Sequence, residues 1–222
     1  RKTNSVVPVE YVESKNQEFA KITISGLKGG HSGIDIVRYR ANANKLMGRF
    51  LYGLKKKSEY ALISLTGGQK DNAITRECTA EFLTDSVAEV KAYAKELQEQ
   101  VREEYTGSDE NITFEITEKD TATAEVLHPT SQEKIVFYLQ NVPFGIQKMS
   151  GTIEGLVETS SNIGILRLDE DELFASSSVR SSVDAACSAL SDKIEYLTEF
   201  LGGDYEVQGA YPAWEYRKDS PL

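Results

Sequence analysis

The chain has 222 residues, 40% hydrophobic and 27% charged, a globular balance with length for one large domain or two small ones. Twenty-five Lys and Arg against thirty-five Asp and Glu leave a formal charge of −10. That argues against nucleic acid or an anionic membrane as the main partner, because both repel an acidic surface. No apolar run is long enough to span a membrane and no signal-peptide pattern is present. Because the sequence begins at Arg1 rather than a methionine, we expect it to be an excised part of a longer protein. Cys78 falls on the apolar phase of a strand pattern and Cys187 on the apolar stripe of a helix pattern. Both are expected buried and reduced, in a cytoplasmic setting.

Residues 1–8 are polar and end at Pro8, the pattern of a linker from a preceding domain. Residues 9–12 read as a strand in a hairpin with residues 18–25, across Ser14-Lys15-Asn16. In that second strand Ala20, Ile22 and Ile24 alternate with Lys21, Thr23 and Ser25. A glycine-rich turn, Gly26-Leu27-Lys28-Gly29-Gly30-His31-Ser32-Gly33, follows. Ser32-x-x-Asp35 has the spacing of a capping box, and Ile36, Ala43, Met47, Phe50 and Leu54 recur at helical spacing. These signals predict a helix over residues 34–56 with His31 just outside its N-terminus. There the helix dipole discourages protonation, so the imidazole would act as a neutral hydrogen-bond donor.

Residues 60–65 form an apolar strand pattern, residues 66–74 a loop, and Cys78, Ala80 and Phe82 the inward face of the next strand. Ser86-x-x-Glu89 opens a helix bearing Val87, Val90, Ala94, Leu97 and Val101, and residues 112–117 alternate again as a strand. Strand, helix, strand, strand, helix, strand is the ferredoxin-like order. The second half repeats it more loosely. Thr130-x-x-Glu133 caps a helix broken at Pro143. A strand follows at 155–159, then a hairpin of 163–168 with 173–179, a helix opened by Ser181-x-x-Asp184, and a strand at 205–207. Asn72-Ala-Ile74 and Asn162-Ile-Gly164 fall at similar places in the two halves. The expected fold is therefore α+β, two duplicated ferredoxin-like (βαββαβ-type) units forming an antiparallel sheet with helices packed mainly on one face. In this division 1–8 is a linker, 9–120 the first half, 121–210 the second, and 211–222 a linker leading out.

Chemistry-bearing motifs are few. The only histidines are His31 and His128, without paired-histidine or paired-cysteine spacing, so no metal site is expected within the chain. His128, before Pro129, reads as a surface loop residue. Thr66-Gly67-Gly68 lacks the spacing of a phosphate loop, and residues 26–33 lack the lysine–serine pair that ends one. Arg180 follows a serine run at a strand end, where it could grip a carboxylate bidentately or pair with a local Asp or Glu. His31, Asn72 and Arg180 are thus three donors on three strand-end loops. They suit an anionic or carbonyl-bearing small molecule, but none of them would activate water.

Several segments resemble one family in order along nearly the whole chain. They are residues 26–36, Arg40-Ala-Asn-Ala-Asn-Lys-Leu-Met47, Gly67-Gly68 with Lys70-Asp-Asn-Ala-Ile74, and Gly155-Leu-Val-Glu-Thr-Ser-Ser-Asn-Ile-Gly164. Ser177-Ser-Val-Arg-Ser-Ser-Val-Asp184, Tyr211-Pro-Ala-Trp214 and Asp219-Ser-Pro-Leu222 continue the series. They resemble the lid, or dimerisation domain, of bacterial aminoacyl-histidine dipeptidases of the di-zinc aminoacylase and carboxypeptidase superfamily. The resemblance implies two zinc ions and a general base in a catalytic domain outside this chain, with no cofactor inside it. It implies that His31 contacts the scissile carbonyl, that Asn72 contacts substrate, and that Arg180 holds the terminal carboxylate. Implied partners are the catalytic domain, a dipeptide plausibly ending in histidine, and a second copy in a homodimer. Thr75 stands where the family often has proline and Ala213 where glycine is usual; Glu158 and Asn162 lie in a shared motif without an assigned role. The competing readings are a free-standing ferredoxin-like module that binds a small molecule or regulates without catalysis, and a purely dimerising scaffold.

Overall fold

The period-two segments become strands of one antiparallel sheet, and the helical stripes become a layer of helices across one face of it. The computed structural model describes residues 1–209. In chain order the first elements are β1 (Lys2–Pro8), β2 (Tyr11–Glu13), β3 (Gln17–Ser25), β4 (Gly30–His31), α1 (Ala43–Leu54) and β5 (Tyr60–Gly67). Next come β6 (Ala73–Ile74), β7 (Cys78–Thr84), α2 (Val87–Glu104), β8 (Thr113–Ala122), β9 (Glu125–Leu127) and α3 (Pro129–Asn141). The last are β10 (Gly145–Met149), β11 (Val157–Leu168), β12 (Glu172–Ser181), α4 (Asp184–Phe200) and β13 (Asp204–Gln208). The expected outgoing linker, 211–222, lies outside the described residues.

Strand order in the main sheet is β13-β1-β12-β11-β5-β7-β3-β8, with β10 pairing the start of β11. Its two halves are two ferredoxin-like units. Unit one runs β3-α1-β5-β7-α2-β8. Unit two runs α3-β11-β12-α4-β13, and the strand that completes it is β1, from the very start of the chain. Residues 1–8 are therefore not a linker but a strand between β12 and β13. Its sequence hid this because its neighbours are polar too: Thr3 faces Ser177 and Asn4 faces Ser176, and Val7 is its one fully buried apolar side chain. Instead of an apolar pair, Thr198 Oγ1 on α4 donates to Ser5 Oγ at 2.9 Å.

Unit one is thus inserted between the first strand and first helix of unit two. Its entry and exit are tied by the β2–β9 ribbon, Tyr11 opposite Leu127; β2 does not form the expected hairpin with β3. Residues 155–159 and 163–168, expected as separate strands, form one strand, β11, with a bulge between Ile163 and Ile165.

Burial follows the sequence pattern closely in unit one. Ala20, Ile22, Ile24, Ala80 and Phe82 point from the sheet into a core with Met47, Phe50, Leu51 and Leu54 of α1. Phe50 stacks on Tyr93 of α2 with centroids 5.5 Å apart, an arrangement that adds to simple area burial. Ser86 caps α2 as expected, accepting from Glu89 N at 3.3 Å. Two other capping readings change. His128 Nδ1, not Thr130, caps α3 by accepting from Thr130 N at 3.2 Å. Ser181 stays in β12 and accepts from Val183 N at 3.1 Å, while α4 begins without a side-chain cap. Cys78 and Cys187 are both free and buried, and burial raises the Cys78 thiol far above its usual range.

The units meet in both layers. In the sheet, β5 pairs with β11 at Gly67–Leu166 and Thr66–Arg167. Among the helices, α1 packs on α3 at Gly48, where a Cβ would stand 2.6 Å from Leu139 Cβ, too close for any larger residue. Beside it the Lys45 amine donates to Leu139 O, to Val142 O at 2.8 Å and to Gln140 O at 3.2 Å. These are carbonyls at the end of α3, which the helix itself leaves unpaired. Replacing Lys45 with Met keeps the aliphatic stem and removes all three bonds. We expect Lys45→Met to cost about 2–3 kcal/mol and to lower the melting temperature by roughly 5–10 °C. An unchanged thermal unfolding curve would show that the clamp contributes nothing.

Candidate functional site

The glycine-rich turn after β3 is a tied loop rather than the start of a helix. Gly26 turns the chain with φ +81°. Asp109, fully buried, then accepts from Lys28 N at 2.7 Å and Ala41 N at 2.9 Å, so one carboxylate fastens both ends of residues 28–41. The helical structure inside the loop is a 3₁₀ turn, Ile36–Arg38, and Tyr39 breaks it with φ 51°. The expected helix over residues 34–56 begins at Ala43, because Asn42 provides the cap. Its Oδ1 accepts from Asn44 N at 2.9 Å and Lys45 N at 3.3 Å.

His31 is held within this loop by its own main chain and by Asp35. Its N–H donates to Asp35 Oδ2 at 2.9 Å. That bond, with Arg40 and Arg38 beside it, keeps the Asp35 carboxyl below its usual range. Neither half of the expected capping box forms: Asp35 accepts from His31 N rather than from Ser32 N, which donates to Asn72 O, and Ser32 Oγ is buried with no partner among the described residues. The imidazole Nδ1 accepts from Gly33 N at 3.1 Å and Ile34 N at 3.3 Å. An acceptor at Nδ1 puts the proton of the neutral ring on Nε2. Two local amides, rather than a helix dipole, thus leave Nε2 as the donor nitrogen of the neutral ring.

Asn72 is exposed at the tip of the β5–β7 connection, and His31 is bonded to that connection directly. β4 pairs with β6, His31 opposite Ala73, and Ser32 N donates to Asn72 O at 2.9 Å. The connection rests on the bulge in β11, where a Cβ on Gly164 would lie 2.4 Å from Asp71 O. Ser178 Oγ donates to Asp71 O at 2.8 Å, and Asn162 Nδ2 donates to Ala73 O at 2.9 Å. Asn162 is therefore no counterpart of Asn72 in the second unit; it lies within β11 and bonds to the main chain beside Asn72. Thr75, in place of proline, is buried and donates through Oγ1 toward Gly164 O at 3.1 Å and Ile163 O at 3.2 Å.

Arg180, half-buried near the end of β12, comes from unit two. A Cβ on Gly33 would lie 3.2 Å from Arg180 Cζ and 3.1 Å from His31 Cε1, so the guanidinium and the imidazole flank the same α-carbon. Of the two readings open for Arg180, pairing with a local carboxylate is not what the fold provides. Among the described residues it has neither an ion pair nor a hydrogen-bond acceptor, and its Nε is buried and unpartnered. The acidic side chain on the neighbouring strand, Glu158, lies 2.8 Å from Lys148 Nζ.

His31 and Asn72 line a groove of about 870 Å³ together with Thr66, Gly68, Thr75 and Arg76, and Arg180 lies outside its lining. His31 therefore stands between the groove and the arginine. No three His, Cys, Asp or Glu side chains converge as a metal site among the described residues. Sequence reasoning missed Asp109, Asn42 and Ser178. The partners of Asp109 and Ser178 are main-chain groups far away in sequence, so no local spacing marks them, whereas Asn42 has the local signal of an N-cap, an asparagine two and three residues before the amides it accepts from.

Residues 22–109 match the model of the peptidase dimerisation domain. The chain is 31% identical over 207 residues to the cytosol non-specific dipeptidase of Escherichia coli (strain K12), covering 92% of this chain and 42% of that protein. It superposes on the crystal structure of aminoacylhistidine dipeptidase from Vibrio alginolyticus with a TM-score of 0.90 at 29% identity, covering 99% of this chain and 46% of that one. The chain thus spans less than half the length of the relatives it matches. It carries a peptidase dimerisation domain, in the two-unit frame of the matching segment of an aminoacylhistidine dipeptidase.

Proposed function

We propose that this chain is the lid and dimerisation domain of a cytoplasmic zinc-dependent dipeptidase, and that His31, Asn72 and Arg180 handle its substrate. The observation that carries this reading is the partly buried guanidinium of Arg180, without an ion pair among the described residues, beside an exposed histidine whose Nδ1 is taken by two amides. A fixed cation with an unmet donor is the natural receptor for the terminal carboxylate of a short peptide. His31 would donate from Nε2 to the scissile carbonyl as its oxygen gains charge, and Asn72 would add a contact along the groove. The substrate would be a dipeptide with a C-terminal histidine. The zinc ions have no donor set among the described residues, so the roles assigned here are those of binding, orienting and, on closure over a catalytic domain, excluding water.

Three experiments test this reading. In the full-length enzyme His31→Ala should lower kcat by a hundredfold or more, about 3 kcal/mol of lost oxyanion stabilisation, with metal content intact; an unaltered kcat would remove His31 from the reaction. Arg180→Ala should mainly raise KM for free dipeptides and far less for carboxy-amidated ones, and equal effects on both would contradict the carboxylate role. Long-range nitrogen–proton NMR spectra should show the neutral His31 ring protonated on Nε2. A ring protonated on Nδ1 would be inconsistent with donation toward the groove.

A further inference from the structure

Asn162 joins three pieces of the molecule through one side chain. It is 1% exposed and lies in β11, within unit two. Its Oδ1 accepts from Asn42 Nδ2 at 3.1 Å, and Asn42 in turn caps α1 and donates to Ile163 O at 2.9 Å. Its Nδ2 donates to Ala73 O at 2.9 Å and reaches Asp71 O at 3.5 Å. Those two carbonyls bracket Asn72, and Ala73 is the residue paired with His31 in the β4–β6 ribbon. The amide must therefore present its oxygen to one unit's helix cap and its nitrogen to the connection that carries Asn72. A carboxylate could serve only the first, and an apolar side chain neither.

We propose that Asn162 is a positioning residue of the site. From inside unit two it fixes the ribbon on which His31 and Asn72 stand, without touching substrate itself. Ser178 shares the task through its bond to Asp71 O. Arg180 is outside this set of bonds, so Asn162 governs the carbonyl contact and not the carboxylate contact. This inference rests on the lid reading above. Catalytic geometry is steep in distance, with about 1 Å of displacement costing up to about a hundredfold, so a loosened ribbon is expected to be felt in turnover.

The test is made in the full-length enzyme with a dipeptide and its carboxy-amidated analogue. Asn162→Ala should lower kcat roughly tenfold, while the ratio of KM values for the free and amidated substrates stays that of the parent. Asn162→Asp keeps volume and the Asn42 acceptor but loses the donor to Ala73, and should be as impaired as the alanine variant. Full activity in Asn162→Asp would mean that the donor to Ala73 is dispensable and would overturn the inference. Added to His31→Ala, Asn162→Ala should lower kcat by clearly less than tenfold, because only the Asn72 contact is then left for it to position. A full tenfold further loss would overturn it as well. If the Asn162 variants do not fold, Ser178→Ala decides, with a fall in kcat of about threefold expected at an unchanged KM ratio and no fall counting against it. A normal kcat in His31→Ala would instead sink the lid reading, whereas an impaired His31→Ala beside a normal Asn162→Ala would sink the positioning role alone.

Discussion

The seam between the two units is the constraint on which the rest of the structure depends. His31 and Asn72 stand on unit one and Arg180 on unit two, so their spacing is only as fixed as the joint between them. That joint is short in the sheet, two residue pairs between β5 and β11. It is reinforced by polar bonds that apolar packing could not supply: Lys45 to the end of α3, and Asn42, Thr75 and Asn44 around the Ile163 carbonyl. Buried polar bonds of this kind add little net stability each. They are directional, however, and leaving one unmade is costly, so they select one register of the two units over neighbouring ones. Insertion of unit one between the first strand and first helix of unit two adds a covalent constraint: unit two cannot complete its sheet unless the ends of unit one meet at the β2–β9 ribbon.

The two units solve burial differently. Unit one has an aromatic and aliphatic core in which Phe50 touches the rings of Tyr93, Phe82 and Phe114. Unit two buries hydroxyls on its central strands, with Ser176 and Ser177 essentially inaccessible and their Oγ atoms unpartnered among the described residues. Each such group carries a desolvation cost, so unit two gains less per buried residue than unit one. A small side chain offsets part of this by letting other segments approach. Ser178 admits the Asp71 carbonyl, and Gly164 lets the β5–β7 connection lie directly on the strand. The polar character of β11 and β12 is thereby linked to the seating of the loop that holds Asn72.

Legibility in the sequence follows from the same contrast. The elements of unit one were readable because Ala20, Ile22 and Ile24 alternate in β3 and because Val87 to Val101 make a clean stripe on α2. The resemblance to a dipeptidase lid was also readable, since its motifs are contiguous. β1 was hidden, because Thr3, Asn4 and Ser5 are buried by serine-bearing neighbours and leave no apolar alternation. The start of α1 was misplaced because Ser32 and Asp35 imitate a capping box, while the true cap, Asn42, has the local signal of a plain N-cap. At the site, residue types at strand ends suggested three donors. What they could not convey was that Arg180 has no carboxylate partner among the described residues, while Glu158 on the neighbouring strand lies beside Lys148.

The loop carrying His31 shows how such donors can be made ready before a ligand arrives. Asp109 closes its ends, Asp35 takes the His31 N–H, Arg40 donates to Gly29 O, and the β4–β6 ribbon joins it to the connection bearing Asn72. Each tie fixes main chain, and the imidazole is then oriented by amides only two and three residues away. A donor oriented in this manner has already lost its conformational freedom on folding, so little remains to be lost when a carbonyl meets it. The acidity of Asp35 belongs to the same arrangement. Held below its usual range by the His31 N–H and two arginines, it remains an anion through the neutral range and keeps accepting that N–H. In a chain of net charge −10, Arg38, Arg40 and Arg180 outnumber Asp35 around the His31 loop.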